Sequence, residues 1–331
     1  MENRSPEIDY EYDSKILNPP LCLRASVVNL ILTMHIGITG ASGFIGRQLV
    51  RDALARGYRV TPFSRQATTQ LPGCEPTRLF GRNLDVNELD AVIHLAGEPI
   101  IGLWTKQKRH LILQSRVDGI HRLVAAVGQS ARKPSVLVTA SGVDIYGDRS
   151  EESLTEMSPI DATSFLAQVA GALEKEGAAL EHAGLRFVPV RLAMVLGRNA
   201  GALQVMKTAF QFGLGGRIGS GRQWMPWIHI ADASALFLHA AETGSIRGPI
   251  NGVAPNPVRN DEFTRAMGEL LRRPTIFTVP EMALRMLPGQ QGSLVLNSQR
   301  IVPAVALRTG FQFRFPDLRG ALADALTLSS K

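Results

Sequence analysis

The 331-residue chain is 45% apolar and 20% charged, which provides for a sizeable buried core and excludes a wholly disordered polymer. Its two cysteines, Cys22 and Cys74, exclude a disulfide framework and fit a reducing compartment; its seven histidines show no metal-ligand spacing, so no metal site is expected. The net charge of +7 comes without a Lys/Arg run interleaved with aromatics, so an anionic cofactor and a small-molecule substrate are expected rather than nucleic acid.

Residues 1–13 are acidic (Glu2, Glu7, Asp9, Glu11, Asp13), the wrong charge for a secretory leader, and residues 21–33 are apolar but short and carry Arg24 and Asn29. No stretch is long and apolar enough to span a bilayer, so a cytoplasmic protein with no membrane partner is expected. Met34 opens MHIGITGASGFIG, the way a dinucleotide-binding fold usually begins. Met34 is therefore the expected natural start and residues 1–33 a disordered extension, with a short docking helix as the alternative.

Residues 35–39 read as a buried strand. Residues 44–56 carry helical spacing through Ile45, Leu49, Val50, Ala53 and Leu54, and Gly57 stands at the C-cap. Residues 59–63 return as a second strand, completing a right-handed βαβ unit. Residues 90–96 (DAVIHLA) give a further strand. Residues 106–129 give a long helix with Leu111, Ser115, Ile120, Leu123 and Val127 near one face. A strand at 135–140, a helix at 164–182 and a strand at 186–191 follow. The alternation predicts an α/β fold: a Rossmann, doubly wound parallel sheet over residues 34–200. After Gly197 come Gly-rich residues 213–221, Trp-rich residues 223–229 and short helices at 231–242 and 260–272. They predict a smaller C-terminal substrate lobe over 201–331 that also lends elements to the sheet.

Gly40, Gly43 and Gly46, in GxxGxxG spacing with Phe44 and Ile45 between, lie where the first strand turns into the first helix. The first glycine serves the tight turn, the second lets backbone approach a pyrophosphate, and the third lets helix and strand pack closely. The helix N-terminus then offers unpaired N–H groups and a partial positive charge. An NAD-specific fold usually has Asp or Glu at the end of the second strand; here Ser64 and Arg65 stand there, and a guanidinium pairs with a 2′-phosphate that a carboxylate would repel. NADP is the expected cofactor.

TGASGFIG, HLAGEPI and ASGVDIYGD resemble the extended short-chain dehydrogenase/reductases. HLAGEPIIGLWTKQKRHLILQSRV, VRLAMVLGRNAGAL, FGLGGRIGSGRQWMPWIHIAD, NGVAPNPVRNDEFTRAMG and TGFQFRFPDLRGAL are similar to one branch of them. That branch is the NADP-binding, epimerase-like family of unknown substrate, some members of which have been labelled cell-division inhibitors. The similarity runs from Met34 nearly to the C-terminus and implies a family-specific terminal segment at about 279–326. It implies that Gly40, Gly43, Phe44, Ile45 and Gly46 line the pyrophosphate and that Ser64 and Arg65 hold the 2′-phosphate. Leu95 and Ala96 pass under the adenosine side, and Met194 lies by its backbone near the nicotinamide end. Arg116 stands where most extended members carry Asn, and an arginine there neutralises phosphate charge.

The same resemblance implies a Ser–Tyr–Lys catalytic set, yet Phe165 stands at the Tyr position and Val169 at the Lys position, and neither can move a proton. Ser141 keeps the Ser position, and the replacement acid/base candidates are Tyr146, Glu98 and then Lys106. Trp224, Met225, Trp227 and His229 read either as a pocket wall or as a small core pinning the second lobe. Arg222 resembles a phosphate-contacting residue of nucleotide-sugar members, and Asp232 reads as a helix cap. Two functions follow: an NADP-dependent oxidoreductase or epimerase on a small polar, sugar-like substrate, and a non-catalytic NADP(H)-binding regulator or redox sensor.

Overall fold

The computed structural model describes residues 33–66, 70–198, 200–286 and 292–326. The chain divides into Met1–Thr33 and Met34–Lys331. The expectations for the N-terminal extension therefore lie outside the described residues.

Seven strands build the central sheet: β1 (His35–Thr39), β2 (Arg59–Ser64), β3 (Arg78–Leu79), β4 (Ala91–His94), β5 (Val136–Gly142), β6 (Arg186–Leu192) and β7 (Ile250–Gly252). Their order is 3-2-1-4-5-6-7 and every pairing is parallel. Strands covered on both faces need no polar alternation, which is why HIGIT and AVIH are buried throughout. Consecutive residues serve opposite cores. Ile93, Val138 and Val188 face a cluster with Leu49 of helix α1 (Phe44–Ala55) and with Leu236 and Phe237 of a helix at Ile230–Glu242. Val92, Leu137 and Phe187 face Ile120 and Leu123 of α2 (Lys106–Gln129) and Leu173 of α3 (Phe165–His182). Helices on both faces make the sheet doubly wound, and the order reverses between β1 and β4, where such folds open a crevice at the strand C-termini.

Two residues sit otherwise than their sequence positions predict. In α2 the buried face carries Ile112, Gly119, Ile120, Leu123, Ala126 and Val127, whereas Leu111 is 42% exposed. Leu111 lies on the solvent side of the helix, and its neighbour Ile112, 0% exposed, takes the buried place. The helix at Ile230–Glu242 takes His229 as its N-cap, with Nδ1 accepting from Ala231 N. Asp232 instead accepts from the backbone N–H groups of Arg314 and Phe315 at 2.7 and 2.9 Å. It ties down a loop 82 residues away rather than capping its own helix.

Residues beyond 200 contribute both β7 and the helix Ile230–Glu242 to the central layers and then build a second core. Leu196, Leu203, Phe210, Met225, Trp227, Phe263, Met267, Leu318 and Leu322 cluster there. The strand Met194–Leu196 pairs in parallel with Trp227–His229, and so carries the chain from the end of β6 into this lobe.

Gly177 shows how closely α3 packs on the sheet. A Cβ at that position would lie 2.0 Å from Cζ of Phe187, which is 3% exposed. Gly177→Ala is expected to lower stability by about 1–3 kcal/mol, because ring displacement outweighs the gain of about 1 kcal/mol in helix propensity. Urea unfolding reads this directly, and an unchanged or higher midpoint would show that the ring moves freely.

Candidate functional site

Gly40 has φ +69°, the left-handed region, and a Cβ there would stand 2.9 Å from both Ala96 N and Leu95 C. A Cβ on Gly46 would stand 2.1 Å from Gly40 O. The turn between β1 and α1 is thus closed on one side by the chain leaving β4 and on the other by the helix itself. Gly43 is the N-cap of α1, with extended backbone and no side-chain cap bond, and no acidic residue occupies the first turn. The helix therefore presents uncapped N–H groups, and Gly43 keeps the approach to them low. An anionic pyrophosphate fits this cradle.

Beside it, Thr39 at the end of β1 fixes the loop that follows β4. Its Oγ1 accepts from Leu95 N at 3.2 Å and Ala96 N at 3.1 Å, and lies 2.7 Å from His94 Nδ1. With both lone pairs used, the hydroxyl proton goes to His94, so hydrogen-bond counting assigns the ring proton to Nε2. Burial, helped by the positive charge of Arg116, pushes the His94 pKa down to about 4, so the ring is neutral near pH 7. Arg116 continues the wall. Its NH1 donates to Glu98 O at 3.0 Å and Ile112 O at 3.1 Å, and its guanidinium packs where a Gly97 Cβ would be 3.3 Å away. Gly40, Leu95, Ala96 and Arg116 are thereby brought together.

Ser64 ends β2, with its Oγ accepting from Gln66 N at 3.1 Å, and Arg65 follows, exposed. Phe44 reaches the opposite way: its ring would meet a Cβ on Gly197 at 2.7 Å and one on Gly201 at 3.5 Å. That contact sets the first turn of α1 against the end of the strand that begins at Met194. Ile45 is half-buried against the core behind it.

The proposed proton donors are less available. Ser141 Oγ donates to Glu174 Oε1 at 2.7 Å. Glu174 is held by Arg191 in a two-pronged pair, Nε–Oε1 at 3.0 Å and NH2–Oε2 at 2.7 Å. Arg191 NH1 also donates at 2.8 Å to the hydroxyl of Tyr146, which itself donates at 2.7 Å to Asn251 Oδ1. Tyr146 is 0% exposed, and burial raises its pKa further above the usual value. Tyr146 thus does not meet the expectation of a hydroxyl facing the cleft: it is the centre of a buried network joining β5, α3, β6 and β7. Tyr58, the other described tyrosine, donates to Glu242 Oε1 at 3.0 Å. Glu98 is ion-paired with Lys108 at 2.6 Å. Phe165 and Val169 are buried in a small cluster with Trp104 and Ile112, with Phe165 edge-on to Trp104.

Sequence reasoning passed over Asp144. It lies in a short 3-10 helix, Val143–Tyr146, directly after β5, and burial pushes its carboxyl up to about 6. The signal was available: a lone carboxylate between Val143 and Ile145 just past a strand end.

The second-lobe residues separate. Met225 and Trp227 are buried in the second core, and His229 is buried as the N-cap of the helix Ile230–Glu242 with its ring against Phe315. Trp224 is partly exposed, with Arg259 and Arg300 over its ring at 4.3 and 5.1 Å, and its Nε1 donates to Glu151. Arg222 is exposed. Among the described residues, no group of three or more His, Cys, Asp or Glu could hold a metal ion, and no helix is long and apolar enough to cross a membrane.

Residues 36–251 match the model of the NAD dependent epimerase/dehydratase family, and residues 279–325 match a domain of unknown function (DUF1731). The chain is 35% identical over 298 residues to the epimerase family protein YfhF of Bacillus subtilis, covering 88% of this chain and 98% of that protein. It is 36% identical over 300 residues to the mouse epimerase family protein SDR39U1, covering 88% of this chain and all of that protein. Among solved structures, the human SDR39U1 (isoform 2) with NADPH aligns with a TM-score of 0.80 at 32% identity, over 88% of this chain and 99% of that one. A nucleoside-diphosphate sugar epimerase from Corynebacterium glutamicum aligns at 0.72 and 30% identity, over 89% of this chain and 58% of that one.

Proposed function

The chain belongs to the NAD dependent epimerase/dehydratase family, and from that premise we propose that it is an NADP(H)-dependent oxidoreductase or epimerase acting on a small polar, sugar-like substrate. The observation that carries the reading is the uncapped N-terminus of α1 over a Gly40–Gly46 cradle with Arg65, not a carboxylate, after β2. The NADPH bound by the human relative supports it.

When bound, the nicotinamide supplies hydride transfer. This chain's residues hold the dinucleotide across the crevice. The α1 N–H groups bind the pyrophosphate, and Ser64 and Arg65 bind the 2′-phosphate. The backbone of Leu95 and Ala96, fixed by Thr39, forms the floor, and Arg116 adds positive charge beside it. A second reading, a non-catalytic NADP(H)-binding regulator, is favoured by the buried Phe165 and Val169. A panel of carbonyl compounds and nucleotide-sugars separates the two: NADPH oxidation with any member supports the enzyme, and none with all of them supports the regulator.

Cofactor choice gives a further expected result. A charge-assisted hydrogen bond contributes about 1.5–3 kcal/mol, roughly ten- to a hundredfold in affinity. NADPH is expected to bind that much more tightly than NADH, and Arg65→Ala should bring the two close to parity. Titration by nicotinamide fluorescence measures both, and equal affinities in the unaltered protein at moderate salt would defeat the assignment.

A further inference from the structure

The direction in which a dinucleotide lies across this crevice is fixed by the two anchors above. The pyrophosphate belongs at the N-terminus of α1, and the 2′-phosphate belongs at the end of β2, on the β1–β2–β3 side of the reversal point. The other half of the molecule must then extend over the C-terminal ends of β4, β5 and β6. The segment that leaves β5 there is Gly142–Val143–Asp144–Ile145–Tyr146. Val143, Ile145 and Tyr146 turn inward and are 5%, 1% and 0% exposed. Asp144 alone in this turn is a partly exposed side chain. Its carboxyl folds back over the last residue of β5, with Oδ2 3.4 Å from the place a Cβ on Gly142 would take.

The groups around it are committed elsewhere. Ser141 and Arg191 are bonded to Glu174, Tyr146 to Arg191 and Asn251, and Glu98 to Lys108. Among the described residues, the Asp144 carboxyl meets only its own backbone N–H, and no cation neutralises it. A carboxyl partly shielded from water and without a partner favours its neutral form, and this pushes its pKa up to about 6, within reach of both protonation states near neutral pH.

We propose that Asp144 is the proton-transfer residue of this site, taking the role that the missing Tyr–Lys pair has in the wider superfamily. The proposal rests on the NADP(H)-binding reading above. In the reducing direction the protonated Asp144 gives its proton to the oxygen of a substrate carbonyl while the carbonyl carbon accepts hydride from NADPH. The C=O π bond is lost, C–H and O–H bonds form, and NADP+, an alcohol and the Asp144 carboxylate remain. Solvent then returns the proton. In the oxidising direction the carboxylate takes the proton from the alcohol.

The test does not require the substrate. A carboxylate beside the nicotinamide attracts the positive ring of NADP+ and not the neutral ring of NADPH, so the ratio of the two affinities must follow its ionisation. Between pH 5 and pH 7.5 the affinity for NADP+ relative to NADPH is expected to rise about five- to tenfold, with a midpoint near 6. The 2′-phosphate also ionises near pH 6 but is common to both ligands and cancels. Of the charged groups on elements packed around this turn, Glu174 on α3 and Arg191 on β6 neutralise one another. His94 on β4 titrates near 4, below the midpoint, and Asp161 and Glu156 on the following segment are present in every variant. Asp144→Asn and Asp144→Ser should both flatten the ratio, and any carbonyl reduction found should fall about 10²–10⁴-fold. A ratio that is independent of pH in the unaltered protein, a slope that survives in either variant, or reduction retained in Asp144→Asn overturns the proposal while leaving the NADP(H) reading intact. Failure to bind either dinucleotide at any pH overturns both.

Discussion

Gly46→Ala is expected to remove measurable NADPH binding and to cost at least about 2–3 kcal/mol of stability. The new Cβ would lie 2.1 Å from Gly40 O and 2.8 and 2.9 Å from Ala41 Cα and C. All three are backbone atoms of the turn itself, so no flexible side chain can yield. Either α1 backs away from β1 or the turn opens. Both outcomes displace the N–H groups that face the pyrophosphate, and the first also disturbs Leu49, Val50 and Ala53 in the core. Gly171→Ala is the control. It sits in α3 with nothing within 4 Å of an added Cβ, so the propensity gain of up to about 1 kcal/mol should appear unopposed. Thermal melts and NADPH fluorescence titration of the two variants read the contrast. A Gly46→Ala protein that binds within twofold of the original would show that the close packing has no part in holding the cofactor.

How much of this could be read from the chain depends on the range of the interactions involved. The strands at 35–39, 59–64 and 186–192 are legible because a parallel sheet covered on both faces needs short apolar runs bounded by turn residues, all of it local. The cradle is legible for the same reason: Gly40, Gly43 and Gly46 lie within seven residues, and their roles follow from the turn they make. The hydrogen-bond partners of Tyr146 are not legible in this way, because they are not local. Beside Gly147 this residue looks like a loop tyrosine near a cleft, but its partners, Arg191 and Asn251, are 45 and 105 residues away. Asp232 has the composition of a helix start, and only the chain at 314–315 reveals what it holds. Trp224 and Trp227 sit three residues apart in one motif, yet one is stacked by two arginines and the other is core. Their separation follows from two short strands with different partners, Val258–Arg259 and Met194–Leu196.

The buried network around Glu174 carries the second large effect. Its carboxylate is 14% exposed and accepts from Arg191, 6% exposed, through both oxygens, and from Ser141. Glu174→Ala would leave a buried guanidinium with only Tyr146 to donate to and would leave the Ser141 hydroxyl without its acceptor. Breaking one side of a buried ion pair costs about 3–5 kcal/mol, because the remaining charge stays desolvated and unpaired. For a chain of this size the melting temperature should fall by roughly 4–7 °C. The double variant Glu174→Ala/Arg191→Met removes the stranded charge along with its partner, and is expected to be more stable than Glu174→Ala alone. A double variant whose loss equals the sum of the two single losses would show that the groups do not act as a pair. Cofactor affinity gives the functional half of the result. The network supports the segment between Ser141 and Tyr146 that carries Asp144, and lies apart from the α1 cradle. Glu174→Ala should therefore change NADPH affinity far less than Gly46→Ala does. It should nonetheless shift the pH midpoint of the NADP+/NADPH affinity ratio, because the turn that positions Asp144 has lost its anchor.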